Sequence, residues 1–174
     1  MKRSMLIATV AAALLLAGPV VAQTDDAPAT QESSAMSAAE FVQQAAQSNM
    51  LEIRTSRLAL ERASSEEVRA FARQMVEDHT TATEQLQQVA GAVDDAGVPQ
   101  ELDDQHRQKI ADLEAAPAEA FDDAYMALQI DAHQKAVDLF AIYAETGEGE
   151  IAGFATVTLA KLRAHLAAAR SIRP

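Results

Sequence analysis

The chain has 174 residues, 4% aromatic residues, no cysteine and a formal net charge of −12. The absence of thiols excludes disulfides, thiolate metal sites, iron–sulfur clusters and cysteine nucleophiles, so packing alone must hold the fold. The acidic balance opposes nucleic acid and anionic lipid surfaces as partners, and it suits a solvated acidic protein.

Residues 1–22 read as a secretory leader. Lys2 and Arg3 form a positive start, Leu6 to Leu16 is a short apolar run, and Val20-Val21-Ala22 places small residues at a cleavage site before Gln23. The run is too short and wrongly flanked for a membrane span, so the reading is a periplasmic or secreted protein with no integral span after cleavage. An uncleaved N-terminal anchor is the alternative. No cysteine follows the site to carry a lipoprotein anchor. Residues 23–36, QTDDAPATQESSAM, are polar and aperiodic and read as a disordered linker.

The rest, 37–174, reads as one all-α domain. A first helix begins with the capping box Ser37-Ala-Ala-Glu40 and runs to about Ala63. Phe41, Ala45, Ser48, Glu52, Thr55 and Ala59 recur on it at spacings of three and four, and Val42, Ala46, Asn49, Ile53 and Leu60 widen the stripe. A second helix begins with Ser64-Ser-Glu-Glu67. It carries Val68, Phe71, Met75, His79, Ala82, Leu86 and Val89, fades near Gly91, and is ended by Gly97-Val-Pro99. Residues 101–115 read as a short polar connecting helix in which His106 is exposed. The third long helix starts at Pro117, which suits a first helical position, and stops at Gly147-Glu-Gly149. Its inward positions include Phe121, Tyr125, Met126, Ile130, His133, Val137 and Phe140. The fourth covers 150–172 with Ile151, Phe154, Thr158, Leu162, His165, Ala169 and Ile172.

The halves echo each other. Glu67-Val-Arg-Ala-Phe-Ala72 resembles Glu150-Ile-Ala-Gly-Phe-Ala155, and Ala39-Glu-Phe41 resembles Ala118-Glu-Ala-Phe121. Either this is similarity between any two alanine-rich amphipathic helices, or the fold holds two helical hairpins related by a pseudo-twofold. In the second case the connecting helix is the one long crossover of a ferritin-like antiparallel four-helix bundle.

Glu52, His79, His133 and His165 fall near the middle of four different helices, each on an apolar stripe. Mid-helix inward positions meet at one level of a bundle, where polar groups need a reason to be. Imidazole and carboxylate suit Zn, Cu or Fe, so these four are the candidate metal ligands. Asp78, Tyr125 and Asp131 are candidate outer partners. Two other readings use the same residues: a metal-free polar layer that specifies packing, and a cluster of histidines that charges on acidification. Met50, Met75 and Met126 suit soft Cu(I) but read as core filling. Di-iron oxidation needs Glu-x-x-His on two helices, and the residues three before the histidines are Val76, Ile130 and Leu162. No phosphate loop, nucleophile elbow or His-Glu-x-x-His helix is present, so no catalytic residue is assigned.

The run Phe71-Ala-Arg-Gln-Met-Val-Glu-Asp-His79, then Phe121-Asp-Asp-Ala-Tyr125 with His133, and then Leu162-Arg-Ala-His165 resembles a bacterial secreted family. It is the domain-of-unknown-function family numbered forty-one forty-two, often labelled putative membrane or outer-membrane protein and grouped with ferritin-like folds. The resemblance covers about residues 38–172. It implies an exported four-helix bundle with no established activity, with the family's Asp-His pair at Asp78 and His79 and its later histidines at His133 and His165. Where relatives carry Asp-His on the third long helix, this chain reads Asp131-Ala-His133. The expectation is therefore an exported, non-enzymatic bundle that either binds one metal ion or serves as a structural or stress-related module. Its protein partners and oligomeric state are left open.

Overall fold

The computed structural model describes residues 36–91 and 97–172. The leader read over 1–22, and the linker read over 23–36 apart from Met36, lie outside them. Helix α1, Ala38–Arg62, opens on the expected capping box: Glu40 N donates to Ser37 Oγ at 3.2 Å, and Ser37 N donates to Glu40 Oε2 at 2.9 Å. Helix α2, Glu66–Ala90, departs from its expected cap by one residue. Ser65, not Ser64, caps it by accepting from Val68 N. Ser64 is taken by Asp122, which accepts from Ser64 Oγ at 2.8 Å, from Ser64 N at 3.1 Å and from Ser65 N at 2.8 Å. A carboxylate from another helix competes better for these donors than the local box does.

Helix α3, Asp104–Glu114, is capped by Asp103. Pro117 does not start the next long helix. It precedes a single 3₁₀ turn, Ala118–Ala120, closed by Ala120 N on Pro117 O at 3.0 Å, and helix α4 then runs Phe121–Thr146. Helix α5 is Gly149–Ser171. The tight α4–α5 turn depends on its glycines. Gly149 has φ +67°, and a Cβ on Gly147 would lie 2.7 Å from the Tyr143 carbonyl oxygen.

Two apolar clusters order the bundle. One gathers Phe41, Val42, Leu86, Phe140, Tyr143, Ile151 and Phe154, and the other gathers Ala59, Val68, Phe71, Met75, Phe121, Tyr125 and Ala169. Helices α1 and α5 therefore run from the first cluster to the second, and α2 and α4 run back. The connection between α2 and α4 has Val98 packed on the first cluster and Leu113 in the second, so it crosses the length of the bundle. This is the ferritin-like arrangement of two hairpins and one long crossover. Of the echoed segments, Glu67–Ala72 and Glu150–Ala155 occupy matching places at the starts of α2 and α5, whereas Ala39–Phe41 lies in the first turn of α1 and Ala118–Ala120 in the 3₁₀ turn before α4. Arg62 fastens the far end of the crossover by donating to the carbonyls of Leu113, Glu114 and Ala116, and its guanidinium lies 4.5 Å above the Phe121 ring. Among the described residues, no helix is long and apolar enough to cross a membrane.

Candidate metal centre

Between the two apolar clusters lies a buried polar belt: Asn49, Glu52, Thr55 and Ser56 from α1, His79 from α2, Gln129 and His133 from α4, and Thr158 and His165 from α5. The antiparallel topology brings the middles of the long helices to one level, and the apolar neighbours one turn away (Met75 before His79, Leu162 before His165) close it above and below.

The three imidazoles form a nearly equilateral triangle, with ring centroids 5.4, 5.5 and 5.7 Å apart. One nitrogen from each ring lies within 4.8 Å of the others. Each ring spends its other nitrogen on an acceptor outside the trio. His79 Nδ1 donates to Asn49 Oδ1 at 2.9 Å, His133 Nδ1 to the Gln129 carbonyl at 2.9 Å, and His165 Nε2 to Asp78 Oδ2 at 3.0 Å. A backbone carbonyl and a carboxylate have no proton to give, so these bonds fix the tautomers of His133 and His165 and leave His133 Nε2 and His165 Nδ1 as lone pairs, with His79 Nε2 facing His133. His79 Nε2 and His133 Nε2 stand 3.5 Å apart. Two nitrogens bonded to one ion at about 2.0–2.1 Å are separated by about 3.3–3.6 Å in tetrahedral or trigonal geometry. This pair therefore already sits at ligand spacing.

Electrostatics favour the neutral form of two of these rings, His79 and His165. Burial first, and then the neighbouring imidazoles, hold His79 well below its usual range. Burial also lowers His165, with Asp78 opposing. Asp78 itself is pushed up by burial, but Lys161, with Nζ 2.7 Å from Oδ1, and His165 outweigh that and bring it below the usual range. Burial raises Glu52, against the opposing pull of His133 and Gln129.

The four expected ligands do not all face one point. Glu52 is 1% exposed, and its Oε1 lies 3.6 Å from His133 Nδ1, which is the nitrogen turned away from the other histidines. It stands behind His133 rather than beside His79 and His165. Asp78 contacts His165 across the α2–α5 seam rather than its sequence neighbour His79. The Tyr125 hydroxyl pairs with Ser56 Oγ at 2.9 Å, and the Phe71 ring separates Tyr125 from His133. Asp131 is on the surface with Lys135 and Lys109. His106 is outside the cluster, as expected, but half-buried rather than exposed, with Nδ1 2.8 Å from Asp103 Oδ1. Sequence reading gave no site role to Asn49 or Gln129. Their signal was spacing: Asn49 is one turn from Glu52, and Gln129 is one turn before His133.

Among the described residues, five buried side-chain atoms have no hydrogen-bond partner: Asn49 Nδ2, both Glu52 oxygens, Gln129 Oε1 and His165 Nδ1. All five belong to the belt. Buried polar atoms are normally paired, so their concentration here sets the belt apart from the rest of the described core.

The fold and the belt together define a ferritin-like four-helix bundle with a buried three-histidine core. The chain belongs to the family described as Domain of unknown function (DUF4142), whose model matches residues 23–172. It is similar in fold to the crystal structure of a DUF305 fragment from Deinococcus radiodurans, with a TM-score of 0.66 and 18% identity, covering 76% of this chain and 92% of that one. No curated protein matches the chain.

Proposed function

We propose that this chain is an exported helical-bundle protein that binds one transition-metal ion between His79, His133 and His165. The observation that carries the reading is the outward hydrogen bonding of all three rings, which turns one nitrogen of each toward the others in a buried triangle with two of them at ligand spacing. Of Zn, Cu and Fe, an all-imidazole trio suits Zn or Cu, because non-haem iron sites draw a carboxylate into the first coordination sphere. Glu52, with Oε1 3.6 Å from His133 Nδ1, sets a carboxyl group behind that ring, on the far side from the ion. Export rests on the leader pattern of residues 1–22.

The second reading is a structural polar layer. It is favoured by the fact that each ring already has one hydrogen bond without any ion. Metal analysis of untagged protein after exposure to Zn(II) or Cu(II) separates the two. One ion per chain is expected, with a gain of about 2.7 kcal/mol in stability at a free metal concentration one hundred times Kd. The gain should be absent in His133→Leu. Sub-stoichiometric metal and an unmoved melting temperature would leave only the structural layer. Export is checked by the N-terminus of the mature protein, expected at Gln23.

A further inference from the structure

We infer that metal reaches the buried centre through the α2–α5 seam, where Asp78 captures the cation and Lys161 holds the carboxylate shut until it arrives. This inference rests on the metal-binding reading above. The three outward ring bonds are not equivalent. Asn49 and Gln129, which receive the protons of His79 and His133, are themselves buried. Asp78 alone reaches solvent, with 21% of its side chain exposed, and it touches His165 directly. A carboxylate at the surface end of such a contact is a first stop for a divalent cation, since its two oxygens serve different partners: Oδ2 the ring of His165, Oδ1 the ammonium of Lys161.

Lys161 is 57% exposed, so its ammonium can swing into water without loss of hydration. Its positive charge, 2.7 Å from Asp78 Oδ1, both occupies the capture oxygen and repels an arriving cation. Gln74 on α2 adds only a long neutral contact to Asp78, with Nε2 3.4 Å from Oδ2. The ligand nitrogens lie within 4.8 Å of one another, against 3.5 Å for the His79–His133 pair. His165 is thus the ligand whose position is set by the surface carboxylate.

The test is the rate of loading of the full untagged chain with Co(II), whose ligand-field absorption reports coordination, followed by stopped flow at low salt and repeated with Zn(II) in competition. Lys161→Met is expected to load about tenfold faster, and Asp78→Asn about tenfold slower, because the charge at the mouth steers association. Lys161→Met leaves the Asp78–His165 contact in place, so it should reach one ion per chain and melt near the wild-type temperature. Raised salt should shrink both differences. Stoichiometric loading of all three proteins at one rate would overturn the route while leaving the centre intact. Failure of the wild-type chain to bind Co(II), Zn(II) or Cu(II) would overturn both.

Discussion

Two polar regions of this bundle obey different rules. At the junction of α1, α2 and α4, Asp122 accepts from Ser64 and Ser65, and Arg62 donates to three carbonyls of the crossover. No side-chain atom of either residue is buried without a partner. At mid-height, the histidine belt leaves five buried atoms unpaired, and its histidines face one another. The junction is polarity in the service of folding, where every group is answered from within the chain. The belt is polarity that the chain does not fully answer from within, at a level that packed apolar side chains could fill. The apolar clusters on either side supply the stability that permits this.

That contrast can be broken or sharpened by substitution. The largest effect belongs to the apolar ends. Phe41 is stacked on Tyr143 with centroids 4.1 Å apart and meets Phe140 edge-on at 4.9 Å. Phe41→Ala should lose about 3–5 kcal/mol in urea unfolding, with metal stoichiometry unchanged under folding conditions. A loss below about 1 kcal/mol would show that the first cluster does not carry the bundle.

Asp122→Ala comes next, at about 2–3 kcal/mol, since it strands the donors at the start of α2. Burial pushes Asp122 up, but the donors of Ser65 and Ser64 outweigh it and hold the carboxyl below its ordinary 3.8. A depressed folded value means its contribution is present above 3.8 and disappears as pH falls through the folded value. The variant should therefore differ from wild type at neutral pH and converge with it in strong acid. A constant difference across pH would break the assignment.

Glu52→Gln has the opposite sign and a smaller size. Burial raises Glu52 above its ordinary 4.5 in the folded chain, so the carboxyl destabilises the metal-free protein progressively as pH rises from 4.5 through the raised value. The amide should stabilise metal-free protein at neutral pH by about 1–2 kcal/mol and have no effect below 4.5. With Zn(II) bound, the same substitution should weaken binding about tenfold or more, because a carboxylate behind a ligating imidazole raises its basicity. Stabilisation without any loss of affinity would place Glu52 on the structural side of the contrast.

Much of this was legible in the chain itself. The helices follow from three-and-four spacing, and the first cap follows from Ser37 and Glu40, because these are interactions between residues a turn apart. The convergence of His79, His133 and His165 follows from their places near the centres of inward faces. Contacts made across helices were not legible. The shift of the α2 cap from Ser64 to Ser65 needs Asp122, a residue 57 positions away from Ser65. The delayed start of α4 needs the 3₁₀ turn after Pro117. Glu52 shares the stripe and the level of the histidines, yet the rotation of α1 puts it behind His133. Asp78 adjoins His79 in sequence and serves His165 in space.

By itself the sequence determined which residues are helical, which faces are apolar and at what height the polar residues sit, since periodicity and capping are local. Only the tertiary structure decided which nitrogen of each histidine turns inward, which carboxylate stands behind which ring and where the belt meets solvent. Those depend on the rotation of one helix against another, which is set by packing between distant segments and leaves no mark on the spacing of residues along the chain.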